Sequence, residues 1–527
     1  MTSATRDHEA LSDLILSADY RGAATQFTDM YLAGESATAM MLTTVDTVAP
    51  HVQAPSHLMQ LPDGRFRGVN FDHTILGWRA SMKLAERLGE QAGLLPLTQA
   101  IWYVPQGLNI WDQILCEFPG HYARDQELCD TKDGAGADLH SFDGPAWQPV
   151  NTYFPDLEPR REGSANAQIH EMIDAIRSGR REDGYSLFLG LAQEPQHREA
   201  LKEAALFAGI IDLQDTLIDR GAYQNIGHKA LRARAMIELA DEVGWADGHG
   251  MFYSVVPDLG AAPQLHALWQ SASRLVESQF PGTWQTLKQD NTDPLTEHEL
   301  EETVDVILWG EQRDVLAHIT KHLLQGKALL AIGDAVAVAY SRYIADIADH
   351  PNAPFVPGHA FDYCNVVHHW IRTYDNPHQA KALYLEACFV NDVIRVNKQF
   401  PRDPGLGYEP ANFVDWAEAM PVRDILSTLS ESIRDQDGSR TMALVDSYLA
   451  RTDERANLMA TVAFGACRFQ NDPHIQRQAI SMYEEWEANR TSQRDHIIRC
   501  SAKYASHCIK RSTEFGGYEL YRAKFGG

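Results

Sequence analysis

Two segments of the chain place a histidine at the same point of a matching pattern. Setting His73 over His228 gives seven identities in seventeen positions. The identities are His73/His228, Leu76/Leu231, Arg79/Arg234, Ala80/Ala235, Leu84/Leu239, Ala85/Ala240 and Gly89/Gly244. This is more than two unrelated amphipathic helices should share, so the match indicates an internal repeat.

The spacing of the matched residues predicts that each histidine faces a protein core. On a helix that turns about 100° per residue, the residues 3, 7 and 11 positions after the histidine lie on its face. In both copies these positions hold leucine, alanine and leucine. A weaker third copy begins at Gly358-His359, and its Asp362 is predicted one turn beyond the histidine on the same face.

Histidines in the first turn of a helix suit metal binding. The positive end of the helix dipole disfavours the imidazolium, and divalent transition metals bind the neutral ring. Three such rings with the Asp362 carboxylate would resemble the open sites of non-haem iron enzymes or catalytic zinc. We therefore hypothesise that His73, His228 and His359 bind one iron, and that Asp362 and His249 are further candidate ligands.

Other polar residues recur around these histidines and are candidates for orienting a substrate. Tyr253 and Tyr384 each lie 25 residues after a histidine of the pattern, and Arg234 is shared by the first two copies. His318 and His322 also have a ligand spacing, because residues four apart share a helix face. His318 and His322 do not belong to a His-Glu-x-x-His motif, so their spacing alone is not specific for a metal site.

The elements that must position these residues are helices. Apolar residues recur at three- and four-residue spacing through most of the chain, whereas alternating strand patterns are sparse. Clear examples are residues 29–39, 231–243, 300–324, 328–347, 379–396 and 417–433. The pattern predicts an all-α fold, a large helical domain of repeated helix pairs with additional C-terminal helices.

Breaks in the helical pattern divide the chain into three predicted regions. Residues 1–45 form a helical lead, residues 46–400 a repeated core with the histidine site, and residues 401–527 a C-terminal helical region. Within the core, residues 119–163 are rich in Gly, Pro and Asp and predict a long loop or lid.

Composition excludes several classes of function. The formal net charge of −26 in 527 residues disfavours nucleic-acid binding, which needs a basic surface. No stretch reaches the roughly 20 apolar residues that span a bilayer, and the N-terminal residues do not resemble a signal peptide. Seven scattered cysteines form no Cys-x-x-Cys pair. We therefore expect a cytoplasmic protein with reduced thiols that acts without a membrane or nucleic acid.

Motifs that would indicate other chemistries are absent from the sequence. There is no phosphate-binding Gly-x-x-x-x-Gly-Lys loop, no Gly-x-Gly-x-x-Gly and no Gly-x-Ser-x-Gly. A ferritin-like di-iron site needs two Glu-x-x-His motifs on helices. The single example, Glu194-Pro-Gln-His197, contains a proline.

The histidine segments resemble a known family. Asp72-His-Thr-Ile-Leu-Gly-Trp78, Gly227-His-Lys-Ala-Leu231 and Gly358-His-Ala-Phe-Asp-Tyr363, with Val243-Gly-Trp245, look like the helical domain of questin-oxidase-like proteins. They look more closely like a group of bacterial proteins in which a similar helical domain is fused to a Rieske domain. The resemblance covers roughly residues 45–400.

The resemblance implies oxidative chemistry on aromatic compounds and iron held by several histidines and a modified lysine. The ligand role would fall on His73, His228 and His359, with Lys229 as the candidate lysine. The family's second histidine, four residues later, is replaced here by Gly77, Arg232 and Tyr363. No Rieske Cys-x-His pattern is present, so electrons would come from the substrate or a separate reductase.

The sequence thus favours a non-haem iron oxygenase acting on a mostly apolar or aromatic small molecule. Two alternatives stay open at this point. A zinc-dependent hydrolase or isomerase would use the same histidines without redox chemistry. A non-catalytic helical-repeat scaffold would bury them as satisfied core residues.

Overall fold

The computed structural model describes most of the chain. The described residues are 3–17, 19–49, 59–60, 66–67, 73–108, 157–161, 163–178, 180–213, 227–259, 267–287, 293–346, 358–398, 408–469, 474–508 and 516–526. The loop predicted at 119–163 lies outside these residues except for its last few positions.

The chain forms two compact units. Unit 1 comprises Met1–Gly209, Asp219–Gln264 and Thr513–Gly527, and unit 2 comprises Ile210–Ile218 and Leu265–Ser512. The break near residue 400 falls inside unit 2.

Unit 1 is built from helices with one small strand pair. Its helices are α1 (Ser3–Leu16), α2 (Tyr20–Leu32), α3 (Ala37–Val48), α4 (Thr74–Ala92), α5 (Leu94–Leu108), α6 (Ala165–Arg177), α7 (Arg181–Ala192), α8 (Arg198–Ile211, which ends in unit 2), α9 (His228–Val243) and α10 (His249–Leu259). Strands β1 (Met59–Gln60) and β2 (Phe66–Arg67) pair antiparallel, with Met59 opposite Arg67. Helix Gly516–Phe525, numbered α23 by its place in the chain, also belongs to this unit.

The secondary-structure elements described in unit 2 are all helices. Its helices are α11 (Ala267–Gln279), α12 (Glu297–Trp309), α13 (Gln312–Leu324), α14 (Leu329–Asp346), α15 (Gly358–Thr373), α16 (Gln379–Lys398), α17 (Val414–Ala419), α18 (Val422–Arg434), α19 (Gly438–Arg451), α20 (Arg455–Ala466), α21 (His474–Ala488) and α22 (Asp495–Lys503). Helix α23 (Gly516–Phe525) returns to unit 1. The predicted all-α class is confirmed.

Each predicted repeat copy is a helix that packs against the next one along the chain. Helix α4 packs on α5, α9 on α10, and α15 on α16. Both matched glycines leave helical geometry, since Gly89 has φ +80° at a kink inside α4 and Gly244 has φ +83° directly after α9. L-residues rarely adopt such angles, so glycine at both positions lets the chain leave the helix.

Three stretches predicted as single helices are interrupted. In residues 29–39, α2 ends at Leu32 and α3 begins at Ala37. In residues 300–324, α12 ends before Gly310 and α13 starts at Gln312, where Glu311 and Asp314 cap the new helix reciprocally. In residues 417–433, Pro421 separates α17 from α18, because proline lacks the N–H that an inner helical turn needs. In each stretch the apolar spacing continues across the break, so the spacing does not reveal where one helix ends and the next begins.

Among the described residues, no helix combines the length and the apolar character that crossing a membrane would need.

Candidate metal centre

Four helices begin with a buried histidine. His73 caps α4, His228 and His474 are the first residues of α9 and α21, and His359 is the second residue of α15. The first ten residues from each histidine are buried on every side, not only on one face. A helix that is buried all round lies in the interior of its unit. The four imidazoles are therefore shielded from water at the positive ends of four helix dipoles.

In unit 1 the structure brings together the two histidines of the strongest repeat match. The ring centroids of His73 and His228 are 5.5 Å apart, with the ring planes at 58°. The Tyr103 ring meets His73 edge-on at 6.2 Å. The contact follows from the packing of α4 on α9, which places the matched ends of the two copies side by side.

The matched arginines of unit 1 converge on one carboxylate. Arg79 donates through Nε and Nη2 to the two oxygens of Glu238, at 2.9 and 3.1 Å, and Arg234 donates through Nε at 2.6 Å. Burial alone would raise the pKa of Glu238, but the two guanidinium groups hold it well below its usual value. The repeated arginine is thus explained by a clamp that holds α4 against α9. This pairing places Arg234, a candidate substrate-orienting residue, in that clamp.

In unit 2 the third repeat histidine has a partner that the sequence comparison missed. Nε2 of His359 lies 3.0 Å from Nε2 of His474, and the ring centroids are 4.6 Å apart. The sequence contains a weak signal for this partner. Counting from the histidines, α21 shares Ala233/Ala479, Met236/Met482 and Glu238/Glu484 with α9. Helix α21 also packs on its successor α22, as the predicted copies do.

Asp362, a candidate ligand, uses both carboxylate oxygens to bind α21. Arg477 Nε lies 2.6 Å from one oxygen, and the Ser481 hydroxyl donates to the other at 2.9 Å. Asp362 and Arg477 each stand three residues after a histidine of the pair. Burial raises the pKa of Asp362 against the opposing effect of Arg477. The ion pair therefore fixes the register in which His359 meets His474.

A second buried charge cluster joins three helices of unit 2. The His368 ring lies between two carboxylates, with Nδ1 2.8 Å from Glu485 and Nε2 2.9 Å from Glu386. All three side chains are fully buried. Burial disfavours the charged ring, but the two carboxylates outweigh it and raise the pKa of His368 to about 10. This imidazolium ties α15 to α16 and α21.

The remaining candidates have identifiable neighbours. Tyr185 contacts His249 Nδ1 through its hydroxyl at 2.8 Å, and its ring lies 6.4 Å from that of Tyr253. Burial lowers the pKa of His249. The fully buried Lys229 donates to the Leu259 carbonyl at 3.4 Å.

Tyr384 lies in unit 2. Its hydroxyl forms a 2.6 Å hydrogen bond with Thr320 Oγ1, and burial raises its pKa to about 12. The hydroxyl therefore stays protonated near neutral pH.

The chain was also compared with known proteins. No protein-family model matches it, and no match was found among curated proteins or solved structures.

Proposed function

We propose that this chain is a non-haem, iron-dependent oxygenase whose metal is held by the buried histidines that open the repeated helices. One observation carries the proposal. In each unit, two helices from distant parts of the sequence present histidines at their N-terminal ends, and these histidines meet inside the unit. A core built only for stability has little need to bury imidazoles in matched pairs.

The donor chemistry fits a first-row transition metal. Imidazole suits iron, zinc, copper and nickel, and each needs the neutral ring that a helix N-terminus favours. The donor set does not choose among these metals. Iron is proposed because of the resemblance to questin-oxidase-like proteins, and zinc is the alternative.

The charged residues around the histidines would act as positioning groups. The clamp of Arg79 and Arg234 on Glu238 holds α4 and α9, and the Asp362–Arg477 ion pair holds α15 and α21. Imidazoles fixed in this way need little reorganisation to bind an ion, which is the role of groups around a metal's ligands. We propose that Tyr253 and Tyr384 act on the substrate side and that His249 is a further candidate ligand. Asp362, whose two oxygens bind Arg477 and Ser481, would position the histidines instead.

A bound iron would supply oxygen activation. The protein would supply a site shielded from water for a mostly apolar or aromatic small molecule. Electrons would come from that substrate or from a separate reductase, and we place the activity in the cytoplasm. Neither a nucleic acid nor a membrane takes part in the proposal.

The first test is the metal content of protein purified without an affinity tag or added metal. We expect near-stoichiometric iron by elemental analysis and oxygen uptake with aromatic compounds. His228→Gln and His359→Gln should each lower the iron content per chain while the far-ultraviolet circular dichroism stays that of a helical protein. The exposed His170, changed to Gln, is the matched control and should keep the metal.

Other outcomes would replace the proposal. Bound zinc would favour a hydrolase or isomerase, since zinc has no redox chemistry with oxygen. No metal after reconstitution would favour the scaffold alternative. One observation supports that alternative, because the 3.0 Å separation of His359 and His474 also suits a direct hydrogen bond.

A further inference from the structure

Unit 2 contains a second histidine pair, built from residues that the proposed function does not use. His318 and His322 lie one turn apart on α13, and their Nε2 atoms are 2.9 Å apart. The hydroxyl oxygen of Thr303 on α12 is 2.9 Å from the first and 3.2 Å from the second. Two ring nitrogens and one hydroxyl oxygen, from two neighbouring helices, therefore lie within 3.2 Å of one another.

While the Thr303 hydroxyl donates along its own helix, the protons of two neutral rings do not satisfy this triangle. The Thr303 hydroxyl donates to the Glu299 carbonyl at 2.7 Å, so its oxygen presents lone pairs to both rings. A neutral imidazole carries only one N–H. If one ring donates into the triangle, the other nitrogen still faces the hydroxyl oxygen, lone pair to lone pair. If both donate, their two hydrogens meet.

Protonating one of the rings would not resolve this mismatch of donors and acceptors. Burial lowers the pKa of His318, and burial together with the neighbouring His318 lowers that of His322 to about 4. Both rings are therefore neutral at pH 7. Neutral nitrogens that face each other are what a divalent transition metal binds.

We propose that His318, His322 and Thr303 form a binding site for a zinc-class divalent ion that links α12 to α13. A tetrahedral ion with bonds of about 2.0–2.1 Å holds two nitrogens about 3.3 Å apart, so the rings need to separate by only about 0.4 Å. Residues four apart on a helix are a geometry that allows both rings to reach one ion.

A carboxylate on α12 acts electrostatically on the two rings. Glu302 precedes Thr303 on α12, and its charge acts on both His318 and His322. The carboxylate is bound by Lys321 at 3.0 Å in an exposed ion pair. Such pairs are weak, so the Glu302 charge still adds to the attraction for a cation beside the two rings. The second nearby carboxylate, Glu299, is held by Lys327 at 2.6 Å.

The experiment is zinc titration of the full-length, chelator-treated protein by calorimetry. We expect His318→Gln and His322→Gln each to reduce the number of bound zinc ions by one relative to the wild type. Thr303→Val should weaken the same event roughly tenfold, as loss of a group beside a metal ligand does. His378→Gln, a half-buried histidine of the same unit packed on Trp284, should leave the stoichiometry unchanged.

Two surface variants keep the test decisive if a histidine variant fails to fold. Lys321→Ala releases Glu302 and should tighten zinc binding at this site, whereas Glu302→Gln should weaken it. An unchanged stoichiometry in both histidine variants overturns the proposal, and so does unchanged affinity in both surface variants. Either result would leave an ordinary hydrogen-bonded triangle, in which the Thr303 proton turns to a histidine.

This test is independent of the proposed oxygenase. The His318 and His322 variants should keep the iron attributed to the helix-opening histidines, and His228→Gln should keep the zinc event. Failure of one proposal therefore does not resemble failure of the other.

Discussion

The histidine pairs of the two units have the same plan and opposite electrostatics. In unit 1, two arginines and Lys83 surround the single carboxylate of Glu238. In unit 2, two carboxylates surround the single imidazolium of His368, beside the Asp362–Arg477 ion pair. Packing of one histidine helix on another is common to both, whereas the charges that hold the helices are not. The first arrangement depends on a carboxylate that stays ionised, and the second on a histidine that stays protonated.

The largest expected effect is the loss of Glu485 from unit 2. Glu485→Gln leaves the buried His368 cation with one carboxylate and also weakens the contacts with Asn365 and Arg372. Breaking a buried ion pair by removing one partner costs about 3–5 kcal/mol. Urea denaturation should show this loss of unfolding free energy. The exposed Glu487→Gln on the same helix is the control, and an equal effect there would contradict the role given to the cluster.

A smaller loss is expected when the clamp of unit 1 is opened. Glu238→Gln leaves Arg79 and Arg234 side by side without their shared carboxylate. Because the Glu238 side chain retains some contact with solvent, we expect a cost of about 2–3 kcal/mol in the same denaturation experiment. The exposed Glu242→Gln on α9 provides the comparison. If the two variants were equally stable, the shared clamp would not hold the helices.

The two units should respond to opposite ends of the pH range. The folded pKa of His368, about 10, lies above the ordinary 6.5, so its stabilisation is complete below about pH 6.5 and is lost as the pH rises through about 10. The folded pKa of Glu238 lies below the ordinary 4.5, so its stabilisation is present above about pH 4.5 and is lost as the pH falls through the folded value.

Hydrogen-exchange protection factors, corrected for intrinsic rates, measure this difference. We expect protection of α15 and α21 to fall at least about tenfold from pH 7 to pH 10, since more than one pKa unit of the His368 shift is lost over that range, while α4 and α9 lose protection in acid. Asp334, whose pKa burial raises to about 6, adds negative charge near His368 in the alkaline window. Parallel loss of protection in both units at each extreme would remove the contrast.

The smallest expected effect concerns the two matched glycines of unit 1, Gly89 at the kink in α4 and Gly244 directly after α9. Gly89→Ala and Gly244→Ala meet no atom within 4 Å, so the cost comes from the positive φ alone. We expect each substitution to lower the free energy of unfolding by about 1 kcal/mol, and by similar amounts, because the two glycines have nearly the same positive φ. The exposed Glu90→Ala is the control in thermal denaturation. Unequal costs would show that the glycines serve different turns.

Much of the local structure could be predicted from the sequence because its causes are local. The repeat of His73 and His228, the helix pairs and the glycine ends follow from periodicity and backbone preference. The same reasoning missed the interruptions after Leu32, at Gly310 and at Pro421, where apolar spacing continues across a change of helix. Beyond the histidine, α21 shares only three identities with α9, so its sequence gives a much weaker repeat signal than the seven identities of the first match.

The sequence by itself determined the helical class, the positions at which His73, His228 and His359 open helices, and the burial of those three rings. Only the tertiary structure decided that His359 meets His474, that Arg79 and Arg234 share Glu238, and that Asp362 gives its oxygens to Arg477 and Ser481. The physical reason is that hydrogen bonding and periodicity act within a few residues of the chain. The partner of a buried charge depends instead on which helices pack together, and His359 and His474 are 115 residues apart.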